Sequence, residues 1–338
     1  MDKIGAKVNI SQAKIHIAKF SVMRYNYFVD LCNQIARYEL MKTQQQAKPF
    51  LKWAGGKSQI LSEIRAKYPA DLGVSIKKYA EPFVGGGAVL FDVLSNYSLD
   101  AVYISDINRE LLATYNTIRD NVNELVSALK QLEQAYHTAD TEQKKILYYN
   151  ARNNFNDIKK SDEQSLEIAA LFIFLNRTCF NGLYRVNSKG GFNVPQGSYK
   201  KPSICDESNI VAVSQALQNV EIVCGDYTLA ENFIDDKTFA YFDPPYRPLS
   251  TTASFTSYAQ DGFDDDDQMQ LANFIDKMSE RGAYIVASNS DPKNTNEADE
   301  FFDNIYAKHS ISRIEASRAI NSVAAGRGKV RELLIASV

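Results

Sequence analysis

Tyr79-Ala80-Glu81-Pro82-Phe83-Val84-Gly85-Gly86-Gly87 is the stretch on which the fold turns. A short apolar run passes directly into three consecutive glycines and then into a helix-compatible stretch through Leu90 and Phe91. Glycines there let the backbone approach a ligand closely, at the carboxyl end of a strand where α/β sites lie. The turn departs from G-x-G-x-x-G because Leu90 occupies its last position. That disfavours a nicotinamide or flavin cofactor against another adenosine-containing one. About 20 residues further on, the spacing dinucleotide-type folds use, Asp106 closes the strand-like Val102-Tyr103-Ile104-Ser105. A carboxylate at that point can accept from ribose hydroxyls.

Outward from this unit, apolar runs alternate with amphipathic stretches, as in a doubly wound α/β sheet. The expected strands are Lys78–Pro82, Ala101–Ser105, Val220–Val223, Phe239–Phe242, Tyr284–Ser288 and Glu332–Ser337. From about Tyr115 to Cys205 the rhythm changes to long, polar-rich helical sequence and then a loop dense in Asn and Gly. The expected organisation is a Rossmann-like catalytic domain, 47–115 and 206–338, interrupted by a mainly helical insert with a hairpin loop, 116–205. Residues 1–46 carry seven Lys or Arg against three Asp or Glu and no readable motif. They form an extension: either translation starts at Met41, or Tyr25 to Leu40 is a helical arm.

Upstream of the glycine turn, Phe50-Leu51-Lys52-Trp53-Ala54-Gly55-Gly56-Lys57-Ser58 ends in Gly-Lys-Ser but is not a P-loop, because Leu51 stands where the Walker pattern needs Gly. It offers Lys57 for a carboxylate and Trp53 for an aromatic contact or for the core. Downstream, Asp243-Pro244-Pro245-Tyr246 follows the apolar Thr238 to Phe242. A carboxylate and a carbonyl held by proline φ form a pair of acceptors suited to a weakly nucleophilic exocyclic amine, and Tyr246 offers a ring on which an extruded base can stack. The run Asp264-Asp265-Asp266-Asp267 reads as a helix N-terminus rather than a metal cage.

Composition narrows the class. The 338 residues, 45% hydrophobic and 23% charged, show neither a long apolar span nor a secretory leader, so cytoplasmic localisation is the expectation. Cys32, Cys179, Cys205 and Cys224 lack metal or disulfide spacing and read as free thiols. Net charge is −3, a weak advertisement for nucleic acid. Yet Leu171 to Cys205 carries Arg177, Arg185, Lys189, Lys200 and Lys201 without one acidic residue, which suits either phosphates or a solvated loop.

In order and spacing, these blocks resemble the Dam-type DNA adenine-N6 methyltransferases, from about Lys48 to the C-terminus. The resemblance implies S-adenosylmethionine as cofactor, contacted by Trp53, Lys57, Asp106 and Asp243, with Glu81, Phe83 and Gly85 from the turn. It implies chemistry by Asp243, Pro244 and Tyr246 on a flipped adenine in duplex DNA. Asn176 to Arg185 and Gly191 to Pro202 look like the recognition hairpin of members specific for GATC. On that likeness Arg185 reads a guanine, Leu183 and Pro195 meet a thymine methyl, Phe180 fills the vacated place and Lys52 reaches an outer guanine. Tyr199 touches the backbone. Gln196 and Ser198 replace the bulky and basic residues common there, which removes one expected phosphate contact. Pro248 to Tyr258 resembles a substrate-closing loop, and Arg318 to Lys329 the last family motif, with Arg318 and Lys329 as DNA contacts. The expectations include no metal, a monomer, and a possible functional pairing with a restriction endonuclease of the same specificity. Three readings compete: cytosine-N4 transfer, transfer to a protein glutamine amide, and a non-catalytic DNA-binding regulator. Asp243 and the intact tetrapeptide argue against them, since family expectation puts Ser or Asn at that position in the first two.

Overall fold

A computed structural model describes residues 46–160, 165–247, 263–317 and 329–337, and Ala47–Val338 forms one compact unit. Its centre is a seven-stranded sheet built from β1 (Lys78–Pro82), β2 (Ala101–Asp106), β3 (Val220–Cys224), β4 (Thr238–Phe242), β5 (Tyr284–Ser290), β6 (Ser310–Ser317) and β7 (Lys329–Ala336). The order is β3-β2-β1-β4-β5-β7-β6. β3, β2, β1, β4 and β5 pair in parallel, while β7 runs antiparallel to both β5 and β6. Strand order reverses direction between β1 and β4, and their carboxyl ends form the crevice where ligands of such sheets bind.

The helices described are α1 (Leu61–Arg65), α2 (Ala88–Asn96), α3 (Arg109–Asp120), α4 (Val122–Thr138), α5 (Thr141–Ile158), α6 (Leu166–Thr178), α7 (Glu207–Ala216), α8 (Asp265–Glu280) and α9 (Phe301–Ile305). Alternation along the strands sorts the core into two layers. Tyr79, Ile104, Phe239, Tyr241 and Val286 pack in one cluster with residues of α2 to α7. Ala80, Tyr103, Ala240, Phe242 and Ile285 face the other way, onto α8 and α9. The aspartate run is the start of α8: the Asp264 side chain accepts from the backbone of Asp266 and Asp267 in a capping box. Leu271, Ile275 and Met278 then present one apolar face at helical spacing.

Five expected strands recur with their ends shifted by at most two residues, and the sixth, expected at Glu332–Ser337, begins at Lys329. β6 went unread. It is an edge strand whose Ser-Ile-Ser-Arg-Ile-Glu-Ala-Ser sequence alternates with polar groups too often for an apolar run to stand out. Residues 1–45, including Met41 and Cys32, lie outside the described residues. Cys179, Cys205 and Cys224 are free. Among the described residues no helix is long and apolar enough to cross a membrane, and no His, Cys, Asp and Glu cluster could hold a metal ion.

Candidate active site

Sheet register sets where Asp243 stands. Phe242 pairs with Ala287, so Asp243 emerges opposite Ser288, whose hydroxyl donates to Asp243 Oδ1 at 2.8 Å. Lys57 Nζ stands 2.8 Å from the same oxygen, donates to the Gly55 carbonyl at 2.6 Å and lies 4.6 Å from the Tyr246 ring centroid. The Lys57 side chain is 6% exposed and that of Asp243 21%. An ammonium this deep needs its counter-ion, and removing either partner strands the other. Both contacts described for the carboxylate fall on Oδ1.

The rest of the tetrapeptide is tied down by groups from three elements. Tyr246 donates to Glu332 Oε2 at 2.9 Å; burial, then the Asp243 and Glu332 carboxylates, push its phenol well above the ordinary range. Gln268 donates to the Pro245 carbonyl and accepts from Asn289, both at 3.0 Å. Arg247, the next residue, grips Asp265 with Nε and Nη2 at 2.6 and 2.8 Å and Asp299 with Nη1 at 2.8 Å.

Across the crevice lies the glycine turn. Gly85 N donates to Asp106 Oδ2 at 3.1 Å and Asn108 N to Oδ1 at 2.9 Å. Desolvation raises the Asp106 carboxyl, opposed by these backbone amides. Gly85 has φ +48°, and a Cβ there would stand 2.9 Å from Trp53 Cδ1, so only glycine admits the indole against the turn. Phe83 is also left-handed, at φ 66°, a conformation costing about 1–3 kcal/mol outside glycine. It stacks on Tyr227 at 5.6 Å and meets the edge of Phe263 at 5.9 Å. Beneath the turn Glu81 is buried, accepting from Tyr79 at 2.7 Å. Burial pushes its carboxyl up to about 8, with Asp243 adding to the rise and Tyr79 and Lys57 opposing it.

The segment 180–199 is an irregular hairpin. Asn193 N donates to Arg185 O at 3.0 Å and Asn187 N to Gly191 O at 2.9 Å, with Val186 bridged to Phe192. One face of α5 holds it. Tyr148 donates to Val194 O at 2.7 Å, Asn156 donates to Phe192 O at 3.0 Å, and Asn156 accepts from Phe192 N at 2.7 Å. Arg185 is exposed and donates from Nε to Asn193 Oδ1 at 2.8 Å, leaving the tip of the guanidinium fork outward. Phe180 is 51% exposed, Pro195 is exposed and Leu183 half-buried. Lys52 Nζ lies 4.5 Å from the Tyr199 ring centroid. Gln196 turns inward and donates to Tyr136 at 2.9 Å, so its departure from the expected bulky residue serves the fold.

Residues 53–320 match the family of D12 class N6 adenine-specific DNA methyltransferases. The chain belongs to that family. It is 48% identical to the type II methyltransferase M.MjaIII of Methanocaldococcus jannaschii over 82% of this chain and 93% of that protein. It is 35% identical to the type II methyltransferase M1.LlaDCHI of Lactococcus lactis subsp. cremoris, over 88% and 97%. To the DNA adenine methylase of Escherichia coli K12 it is 34% identical, over 85% and 94%.

In this methyltransferase the structure places Trp53, Lys57, Glu81, Phe83, Gly85, Asp106, Asp243, Pro244 and Tyr246 about the carboxyl ends of β1, β2 and β4, and Phe180, Leu183, Arg185, Pro195 and Tyr199 on the segment 180–199, with Lys52 against it. Arg318 and the loop 248–258 lie outside the described residues; Lys329 opens β7. Sequence reading passed over Ser288, Gln268 and Glu332. One signal was available: Ser288-Asn289-Ser290-Asp291 is a polar run closing an apolar central strand, and all four are buried. It also missed Ile107 and Leu229, which are 63% and 52% exposed. Leu229 covers Gly225, whose N–H donates to the Asp106 carbonyl at 3.0 Å. Exposed aliphatic side chains beside a carboxylate suit a nucleoside, with apolar edges for its base and acceptors for its ribose.

Proposed function

We propose that this adenine-specific DNA methyltransferase takes its methyl group from S-adenosylmethionine and acts on adenine within GATC, on a base extruded from the duplex. The observation that carries the reading is Asp243, fixed at the end of β4 by Lys57 and Ser288, facing a glycine turn braced by Asp106. The residues present fit that cofactor: Asp106 supplies acceptors for the ribose, Ile107 and Leu229 flank a place for adenine, and Lys57 and Asp243 supply charge for the amino-acid end, with the protonated Glu81 carboxyl beneath the turn. When bound, the cofactor supplies an electrophilic methyl group on a positively charged sulfur.

The chain's residues do the rest. The adenine amine is a poor nucleophile because its lone pair is delocalised into the ring. The Asp243 carboxylate and the Pro244 carbonyl accept hydrogen bonds from its two N–H groups and stabilise positive charge as it develops on nitrogen while the methyl leaves sulfur. With Oδ1 committed to Lys57 and Ser288, Oδ2 is the acceptor this reading assigns to the amine. Lys57 covers one face of Tyr246, and the Glu332 bond fixes the ring plane, which gives the base a rigid platform and offsets part of the few kcal/mol that extrusion costs.

On this reading 47–115 with 206–338 is the catalytic domain and 116–205 the recognition domain, with Arg185 directed at guanine. Plasmid DNA treated with the enzyme and labelled S-adenosylmethionine should yield labelled N6-methyladenine. It should also become resistant to nucleases blocked by methylated GATC. Label in 4-methylcytosine, or methyladenine without altered GATC cleavage, would sink the chemistry or the target respectively.

A further inference from the structure

Lys52 and Trp53 lie between the recognition segment and the cofactor turn, and their backbone is clasped by one side chain. Asn176, in the last turn of α6 and 4% exposed, accepts from Lys52 N at 2.8 Å and donates to Lys52 O at 2.8 Å. The amide thus mimics a strand partner for a residue 124 positions away. Its Nδ2 also donates to the Gly182 carbonyl at 3.0 Å, inside the recognition segment. The next residue, Arg177, donates to Phe50 O at 2.8 Å. Contact is close on this side: Gly182 has φ +65°, and a Cβ there would come within 2.6 Å of Lys52 Cβ.

The other side of the same strap faces the cofactor turn. Trp53 lies against Gly85 and Gly86, where an added Cβ would stand 2.9 and 3.0 Å from the tryptophan side chain. Its ring stacks on Tyr184 of the recognition segment at 5.8 Å and 23°. The Trp53 carbonyl accepts from Gly56 N at 3.2 Å, which closes the turn delivering Lys57 to Asp243. A shift of the recognition segment on docking DNA is therefore carried by Gly182, Asn176 and the Lys52 peptide to Trp53 and the glycine turn. Packed elements of this kind have discrete arrangements rather than continuous ones.

We propose that Asn176 is a positioning residue that couples target reading to cofactor binding, by making Gly182 and the Lys52–Trp53 backbone move as one piece. The inference rests on the reading above, in which the 180–199 segment meets the target and the Gly85 turn cradles the cofactor. Linkage requires that coupling be reciprocal.

Trp53 is the chain's single tryptophan, so its emission reports binding at the junction without a label. The full chain is titrated with S-adenosylhomocysteine alone, with a duplex containing one GATC, and with a duplex in which those four bases are scrambled. In the wild type the GATC duplex is expected to change the S-adenosylhomocysteine affinity at least about fivefold relative to the scrambled one. Asn176→Asp keeps the side-chain size and loses both donated bonds; it should bring that ratio to within about twofold of unity. Its affinity for S-adenosylhomocysteine without DNA should stay close to wild type. Gly182→Ala, which pushes the Lys52 stem away while leaving Asn176 in place, should lower the ratio too and serves if the first variant melts below the assay temperature. A folded variant of either kind that retains the wild-type ratio overturns the proposal, as does a wild-type ratio of one in a protein that still prefers the GATC duplex. A wild type that binds no S-adenosylhomocysteine, or that fails to distinguish the duplexes, overturns the underlying reading and the coupling with it.

Discussion

The glycine turn and the segment 180–199 are both irregular backbone, yet they are held in opposite ways. The turn hangs from a parallel sheet: Val84 N donates to Ser105 O at 3.0 Å, Gly85 N reaches the Asp106 side chain, and neighbouring strands fix the register of everything beneath. The segment 180–199 holds itself through isolated bridges and a few backbone bonds, Phe180 N to Pro195 O and Asn193 N to Arg185 O among them, and is clasped from outside by Tyr148 and Asn156 of α5 and Asn176 of α6. Sheet bonding fixes a reacting geometry and leaves little freedom. Clasps on the backbone leave Arg185 and Pro195 exposed while Phe192 and Val194 are buried.

Substitutions on the two sides should therefore separate chemistry from reading. Asp243→Ala should lower methyl transfer by about 10³-fold while a gel-shift assay still shows preference for the target duplex; loss of both together would mean that Asp243 also takes part in holding the target. Arg185→Ala should cost about 1–3 kcal/mol of discrimination at one guanine, seen by competition between duplexes differing at that base, with S-adenosylhomocysteine binding unchanged. An equal loss on every duplex would make Arg185 a phosphate contact.

Glu81 tests the turn itself. Its carboxyl is raised from 4.5 to about 8 by burial, so the folded state holds a proton that the unfolded state releases. Stability from this group is fully present below the unfolded value and is lost as pH rises through about 8. The slope is on the order of 1.4 kcal/mol per pH unit across that window. Urea melts of the wild type should weaken from pH 5 to 8 relative to Glu81→Gln, and parallel curves for the two proteins would refute the assignment. The smallest effect is expected at Asn156→Ala, which removes a two-way clasp on Phe192. It should cost about 1 kcal/mol of stability and lower target preference more than it lowers S-adenosylhomocysteine affinity.

The same contrast explains what could be read from the chain. Central parallel strands are covered on both faces and spell continuous apolar runs, which is why β1, β2 and β4 and the carboxyl-end groups Asp106 and Asp243 are legible from spacing alone. β6, exposed at the edge, has no such run. The clasps are illegible for another reason. Asn176 and Asn156 bond to backbone groups 124 and 36 residues away, and a backbone partner leaves no residue-type signature to pair with. Ser288 becomes a partner of Asp243 only once β5 is aligned with β4. The expectation for Asn176 to Arg185 and Gly191 to Pro202 came from resemblance rather than from any periodicity.

Arg247 closes the tetrapeptide like a rivet. Its N–H donates to Asn289, its carbonyl accepts from Ser290, and its guanidinium joins Asp265 to Asp299 over the ring of Phe301. Every one of those anchors belongs to the folded body on the far side of residues 248–262. The backbone leaving Tyr246 is thereby fixed within one residue, at a point set by α8 and β5.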